Sequence, residues 1–276
     1  MKYLVYKASN GLCHMLNTIN NVIQFAMQSN RILIIDCNCG WYFKNDFDKY
    51  FSIPLLKLNH DYYTKFDYDK LPEKRELCKE KYLGELVFVN QLNFEEGKWT
   101  SHDFILTNDL LNSDDDVIIC THTITTTNNW YISLKPEIYK SIGQKIKQPY
   151  IGLHYRNTDI KNDLNQLIDN IDKYGINKIY FATDDYNGRN KLDVLLGDKY
   201  EILQFTSPPQ TELDLNIQLF GVDKHISIIN ALIDLYHLTN STHFIPSING
   251  VYRGKIHNSL FSSFVIKNRT ENINFF

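Results

Sequence analysis

Ile151-Gly-Leu-His-Tyr-Arg-Asn-Thr-Asp159 begins as an apolar run and ends in charge. Tyr150–Tyr155 reads as a strand, and His154, Arg156 and Asp159 fall at its C-terminal end. In open α/β sheets that edge is where ligands bind. Two charged groups and a histidine there suit an anionic ligand, and Arg156 can grip a phosphate through two parallel hydrogen bonds. An arginine at a strand end also makes ordinary surface salt bridges, and spacing alone leaves both readings open.

Outward from this strand, elements alternate. Downstream, the pattern predicts a helix over Leu164–Tyr174, a strand at Lys178–Thr183, a helix over Asn187–Leu196 and a strand at Tyr200–Phe205. A Ser207-Pro-Pro-Gln loop leads to a long apolar helix, Lys224–Leu238, and a short strand, His243–Ile245. Val251–Ile256 is expected to open another helix. Upstream, Tyr3–Tyr6 reads as a strand, Ala8-Ser-Asn-Gly-Leu as a turn and Arg31–Ile35 as a second strand ending at Asp36. Between them Met15–Gln28 carries Leu16, Ile19, Ile23, Phe25 and Ala26 at helical spacing. Leu86–Val89 and Val117–Cys120 are further strands, residues 41–82 loops and short helices, and Ser133–Lys147 a helix or linker before Pro149. Strand–helix alternation in both halves predicts two doubly wound α/β domains, residues 1–147 and 148–276.

Composition narrows the classes. The 276 residues are 43% hydrophobic and 22% charged, ordinary for a globular chain with real cores. Net charge is −3, with no basic stripe, which argues against nucleic acid as a partner. Lys70–Lys81 mixes both signs and reads as solvated surface. The five cysteines, Cys13, Cys37, Cys39, Cys78 and Cys120, are odd in number and irregularly spaced. That pattern suits reduced thiols rather than a disulfide framework, and Cys37-x-Cys39 lacks zinc-site spacing. Tyr3–Tyr6 is too short for a signal sequence, and no run approaches the roughly 20 apolar residues of a membrane helix. A cytoplasmic protein with no anchor, of bacterial or viral type, is expected.

Three further constellations can carry chemistry. Phe181-Ala-Thr-Asp-Asp185 again ends a strand. Its carboxylates either bind ribose or sugar hydroxyls, pair with Arg156, or cap the next helix. Asp234 sits in an apolar helix among Ile228, Ile229, Leu232, Ile233 and Leu235. A buried carboxylate needs a partner: an arginine, a helix end, or the N–H edge of a purine. Ser247, Asn249 and Gly250 lie between a strand and an expected helix N-terminus, which suits either an anion or plain capping. The turn Asn10-Gly-Leu-Cys-His14 puts Gly11 where backbone can approach a ligand closely. Neither phosphate-loop glycine motif is present, and no G-x-S-x-G elbow. Asp46, Asp48, Asp67 and Asp69 fall in loops, Asp114–Asp116 reads as surface, and His122 and His154 lack metal-ligand spacing. No metal and no cofactor are expected.

Taken in order, these segments resemble the α-1,6-fucosyltransferases and the bacterial NodZ proteins. His154-Tyr-Arg156-Asn-Thr-Asp159 is similar to their H-x-R-R-T-D motif, and Phe181-Ala-Thr-Asp-Asp185 to their A-T-D-D motif. The stretch from Asp234 to Arg253 resembles their third motif, and Asn10-Gly-Leu-Cys-His-Met-Leu16 their N-terminal glycine turn. The resemblance implies a GT-B fold, two Rossmann-like domains facing across a cleft. Residues 1–147 would lie on the acceptor side and 148–276 would bind the nucleotide sugar. It implies inverting, metal-independent transfer of fucose from GDP-fucose to a glycan hydroxyl. Arg156 would bind the β-phosphate, His154 and Asp234 guanine, and Ser247 or Asn249 the other phosphate. Asp159, Asp184 and Asp185 would shape the donor site, with Asn10, Gly11, His14 and Gly250 also against the donor. Asp163, at a helix start, is the candidate general base. The sequence departs from the motifs at Asn157, where the family has a second arginine, and at Ile248-Asn249, where it has two serines. Transfer from another nucleotide sugar, or an inactive nucleotide-sugar- or glycan-binding protein, are the alternative readings.

Overall fold

A computed structural model describes residues 2–7, 11–37, 46–54, 62–63, 94–95, 98–99, 105–120, 122–123, 127, 129–157, 160–169, 171–207, 223–252, 255–271 and 275–276. The expected strand Leu86–Val89, the segment Lys70–Lys81, and Asn10, Cys39, Asp67, Asp69, Cys78, Asp159 and Arg253 lie outside these residues. The chain divides into two compact units, Met1–Lys135 and Pro136–Phe276.

In the first unit, β1 (Tyr3–Lys7) runs into α1 (Leu12–Gln28) and back through β2 (Ile32–Asp36). β3 (Tyr62–Tyr63) and β4 (Val117–Cys120) complete a parallel sheet in the order β3-β2-β1-β4. Leu4, Val5 and Tyr6 are fully buried, as are Leu33 and Ile35. Such unbroken apolar runs are what a parallel strand covered on both faces requires. α1 begins three residues earlier than its periodicity predicts and buries Leu12, Met15, Leu16, Ile19, Val22 and Ile23. Arg31 is buried and donates to the carbonyls of Ser113 and Asp115, at the amino end of the sheet, where Tyr3 N–H meets the Asp116 carbonyl. Asp114–Asp116 therefore lies away from the carboxyl edge, where a ligand would bind.

The second unit repeats the winding. After α2 (Pro136–Ile142) come β5 (Ile151–Tyr155), α3 (Leu164–Ile168), β6 (Lys178–Thr183), α4 (Gly188–Leu196) and β7 (Glu201–Leu203). α5 (Lys224–Thr239) and β8 (His243–Ile245) follow, and the all-parallel order is β7-β6-β5-β8. Alternation sorts the two faces. Ile151, Leu153, Tyr155, Ile179 and Phe181 pack with Leu164, Ile171 and Leu192 on one side. Gly152, His154 and Tyr180 point to the other, toward α5 and α6 (Leu260–Thr270). Helices thus cover both faces. In each sheet the order reverses beside the unit's first strand, at β1/β4 and at β5/β8.

Three expectations are corrected. The Leu164–Tyr174 helix ends at Ile168, followed by a 3-10 turn at Ile171–Tyr174. The Tyr200–Phe205 strand is confined to Glu201–Leu203. Val251–Ile256 opens no helix. Gly250–Tyr252 (β9) and Lys255–His257 (β10) form an antiparallel hairpin in which β-branched Val251 and Ile256 sit directly opposite one another. The helix waits for its cap: Ser259 accepts from the backbone N–H of Ser262, and α6 starts at Leu260.

Gly152 sets how closely α5 and its C-terminal turn approach β5. A Cβ there would lie 2.8 Å from Ser241 Oγ and 3.2 Å from Leu238 Cδ2. Gly152→Ala is expected to destabilise the chain by about 1–3 kcal/mol through overpacking, read as a lower urea midpoint at unchanged m-value.

Candidate functional site

The β5/β8 reversal brings most of the predicted residues to one sheet edge. His154 is the fourth residue of β5 and is 5% exposed. Its Nδ1 lies 2.7 Å from Ser262 Oγ at the start of α6, and its ring packs on Phe261 at 4.9 Å. Burial, and then the Arg156 charge, lower its pKa to about 3, so the imidazole is neutral. Ser262 Oγ accepts from the Ser247 N–H at 2.8 Å and keeps one proton and one lone pair, so it can pair with either tautomer of the ring at Nδ1.

One residue beyond β5, the Arg156 guanidinium stands 3.6 Å from Asp184 at the end of β6. The backbone of Arg156 is clamped from two sides. Its N–H donates to Ser247 Oγ at 3.1 Å, and its carbonyl accepts from Asn162 Nδ2 at 2.9 Å. Ser247 is fully buried, so its hydroxyl braces the arginine rather than facing solvent. Gly250 makes room for the second clamp, because a Cβ would come within 2.6 Å of Asn162 Nδ2. Asn249, with φ of 58°, turns the chain into β9 and donates its N–H to Asn258 Oδ1.

The acid pair divides its work. Asp184 takes Arg156 and the Asn157 N–H at 2.7 Å. Asp185 accepts from Asn157 Nδ2, Lys191 Nζ and the Asn187 N–H leading into α4. Burial would raise the Asp185 pKa, but the Lys191 and Asn157 hydrogen bonds outweigh it and hold the carboxyl below its ordinary value. Asn157, which stands where the resemblance implies a second arginine, is thus a polar brace between the two acids. Asp163 spends its carboxylate on the Asn165 N–H as the N-cap of α3. Gly11 is the N-cap residue of α1 with open space where a Cβ would be, and His14 is half-buried in the first turn of that helix. Both belong to the first unit and the other described site residues to the second.

Asp234 lies on α5 and finds partners that local sequence did not reveal. Tyr180 Oη donates to it at 2.7 Å and Thr206 Oγ1 at 2.9 Å. The Tyr180 position, opposite Gly152 on the same face, was legible only as a strand residue; nothing local couples it to a helix 54 residues on. Burial raises the Asp234 pKa to about 7 against the lowering by these two hydrogen bonds. Among the described residues no three His, Cys, Asp or Glu side chains group as a metal site would. No helix among them is long and apolar enough to cross a membrane.

No protein-family model matches the sequence, and no curated protein matches it. Solved structures match in fold. NodZ α-1,6-fucosyltransferase of Bradyrhizobium soaked with GDP-fucose superposes with a TM-score of 0.56 at 15% identity, over 96% of this chain and 92% of that one. A variant of Arabidopsis thaliana FUT1 in complex with GDP gives 0.54 at 13% identity, over 97% and 68%. POFUT1 in complex with GDP-fucose gives 0.50 at 12% identity, over 99% and 94%. The likeness establishes the fold, and the parallel sheets of both units fit a GT-B-like architecture.

The raised Asp234 pKa has a stability consequence. The folded state holds this proton more tightly than the unfolded chain, so the contribution is full below the unfolded pKa near 4 and is lost as pH rises through about 7. His154 and buried His237, lowered to about 3 and about 4, act in the opposite sense. The difference between wild type and Asp234→Asn therefore isolates the aspartate. In urea titrations from pH 4 to 8, wild type is expected to lose stability relative to the variant as pH rises.

Proposed function

We propose that this chain transfers fucose from GDP-fucose to a hydroxyl of a glycan acceptor, with inversion at the anomeric carbon and without a metal. Residues 148–276 bind the donor and residues 1–147 the acceptor. The observation that carries the reading is Arg156, held by its backbone at the carboxyl end of β5 beside the strand-order reversal. It sits in a fold shared with structures whose ligands are GDP and GDP-fucose.

In this reading the bond between the sugar's anomeric carbon and the β-phosphate oxygen breaks, and its electron pair stays on that oxygen. The acceptor hydroxyl oxygen bonds the carbon from the opposite face and gives up its proton. Arg156 meets the charge growing on the departing diphosphate, the role a metal plays in other transferases. Asp184 aims the guanidinium, and Asn249 and Gly250 lie close to the diphosphate. His154 and Asp234 recognise guanine, Asp234 by accepting from the purine N–H edge. Ser247 acts through Arg156 rather than on phosphate. Asp185 shapes the donor site, and Asp159, Asn10, Gly11 and His14 are assigned to the donor by the resemblance alone. Asp163, spent on its helix cap, is the weaker candidate for the proton acceptor, and water can take that part.

Nucleotide choice tests the donor. In buffer containing EDTA, GDP and GDP-fucose are expected to raise the melting temperature by mass action while UDP and UDP-glucose leave it unchanged. A shift with UDP-glucose and none with GDP would transfer the reading to a different nucleotide sugar. Fucosyl transfer abolished by EDTA and restored by Mn²⁺ would refute the metal-free mechanism.

Arg156 tests the chemistry. Arg156→Ala is expected to lower kcat by about two to three orders of magnitude, the scale of losing one oxyanion donor. Arg156→Lys is expected to recover little, because an ammonium lacks the planar fork. A folded Arg156→Ala protein with normal kcat would remove the residue from the site.

A further inference from the structure

Among the described residues, two cations at the Arg156 edge face carboxylates. Arg156 faces Asp184 at 3.6 Å, and Lys191 faces Asp185 at 2.7 Å. Asp163 is turned to the Asn165 N–H. Lys161 has no carboxylate within ion-pair distance among the described residues. Its Nζ instead donates to the carbonyl of Asn157 at 2.7 Å, one residue past Arg156. The backbone at Lys161 is pinned, because its N–H and carbonyl form a two-way bridge with Val251 of the hairpin, both bonds 2.9 Å. Neighbouring Ile160 and Asn162 pack where Gly250 leaves no side chain. An exposed ammonium thus rests on the Asn157 carbonyl, while its own backbone is tied to the hairpin.

A lone arginine already facing an aspartate brings little net positive charge to an anion. A diphosphate needs more, and its demand grows as the glycosidic bond breaks. We propose that Lys161 is a second cation for the diphosphate of the donor, complementing Arg156 as a point charge where Arg156 supplies the directional fork. The assignment rests on the nucleotide-sugar reading above. It gives Asn157 a purpose as well: its carbonyl parks the lysine until the anion arrives, while its side chain holds Asp185.

Calorimetric titration of GDP and GMP into the full chain tests this, with wild type, Lys161→Ala, Lys161→Gln and Lys161→Arg compared. The residue is exposed, so unliganded melting temperatures are expected to agree and to confirm folding. Lys161→Ala is expected to weaken GDP about tenfold, the low end for a charge-assisted contact because the site is wet. GMP, which lacks the second phosphate, is expected to change less than about twofold on the same grounds. Glutamine can keep the hydrogen bond to Asn157 but carries no charge, so Lys161→Gln is expected to match alanine and Lys161→Arg to stay near wild type. A glutamine variant that binds GDP like wild type would overturn the assignment, as would an alanine variant with an unchanged GDP-to-GMP ratio. Wild-type protein that binds no nucleoside diphosphate would overturn it together with the reading it rests on, and that outcome is distinct from the other two.

Discussion

A chain of three hydrogen bonds holds the candidate site together. Ser259 caps α6 by accepting from Ser262, the Ser262 hydroxyl accepts from the backbone of Ser247, and the Ser247 hydroxyl accepts from the backbone of Arg156. All three serines are buried, so no water competes for these bonds, and each broken one would leave a polar group unpaired in the interior. The chain couples the start of the last helix to the end of the central strand. It also orients His154, whose Nδ1 meets the same Ser262 oxygen. The arginine inherits its position from this brace and only its aim from Asp184.

Two kinds of charge coexist within a few residues. His154 is kept neutral by burial, and burial raises the Asp234 carboxyl well above its ordinary value. At the edge itself, Arg156, Lys191, Asp184 and Asp185 pair off. Such an arrangement offsets the cations of the edge with carboxylates and makes no strongly basic surface there. It agrees with a chain of net charge −3.

The first unit shows the same strand order with a different edge. There the carboxyl ends of β1 and β2 place Lys7 and Asp36 side by side, 3.7 Å apart and both buried. A buried pair of this sort is costly to break from one side, because the remaining charge is stranded. The second unit instead leaves its edge half-open at Arg156, with 18% of that side chain exposed.

How much of this could be read beforehand depended on the range of the interaction. The central strands, α1, α4, α5 and the strand ends carrying His154, Arg156, Asp184 and Asp185 follow from runs of apolar residues a few positions long, because alternation and helical periodicity are local. The hairpin at Gly250–His257 did not, since Val251 facing Ile256 matters only once the ladder forms, and a short apolar stretch suits a helix equally well. Asp234 was legible as a carboxylate in need of a partner, yet Tyr180 and Thr206 come to it from other elements. Ser247 reads locally as a loop hydroxyl open to an anion, and only burial by α6 turns it inward. The sequence by itself determined where the strands end and which charged groups stand there. Tertiary structure alone decided which of those groups are spent on one another and which remain for a ligand, because hydrogen-bond partners are chosen by proximity in space, across separations that no local pattern encodes.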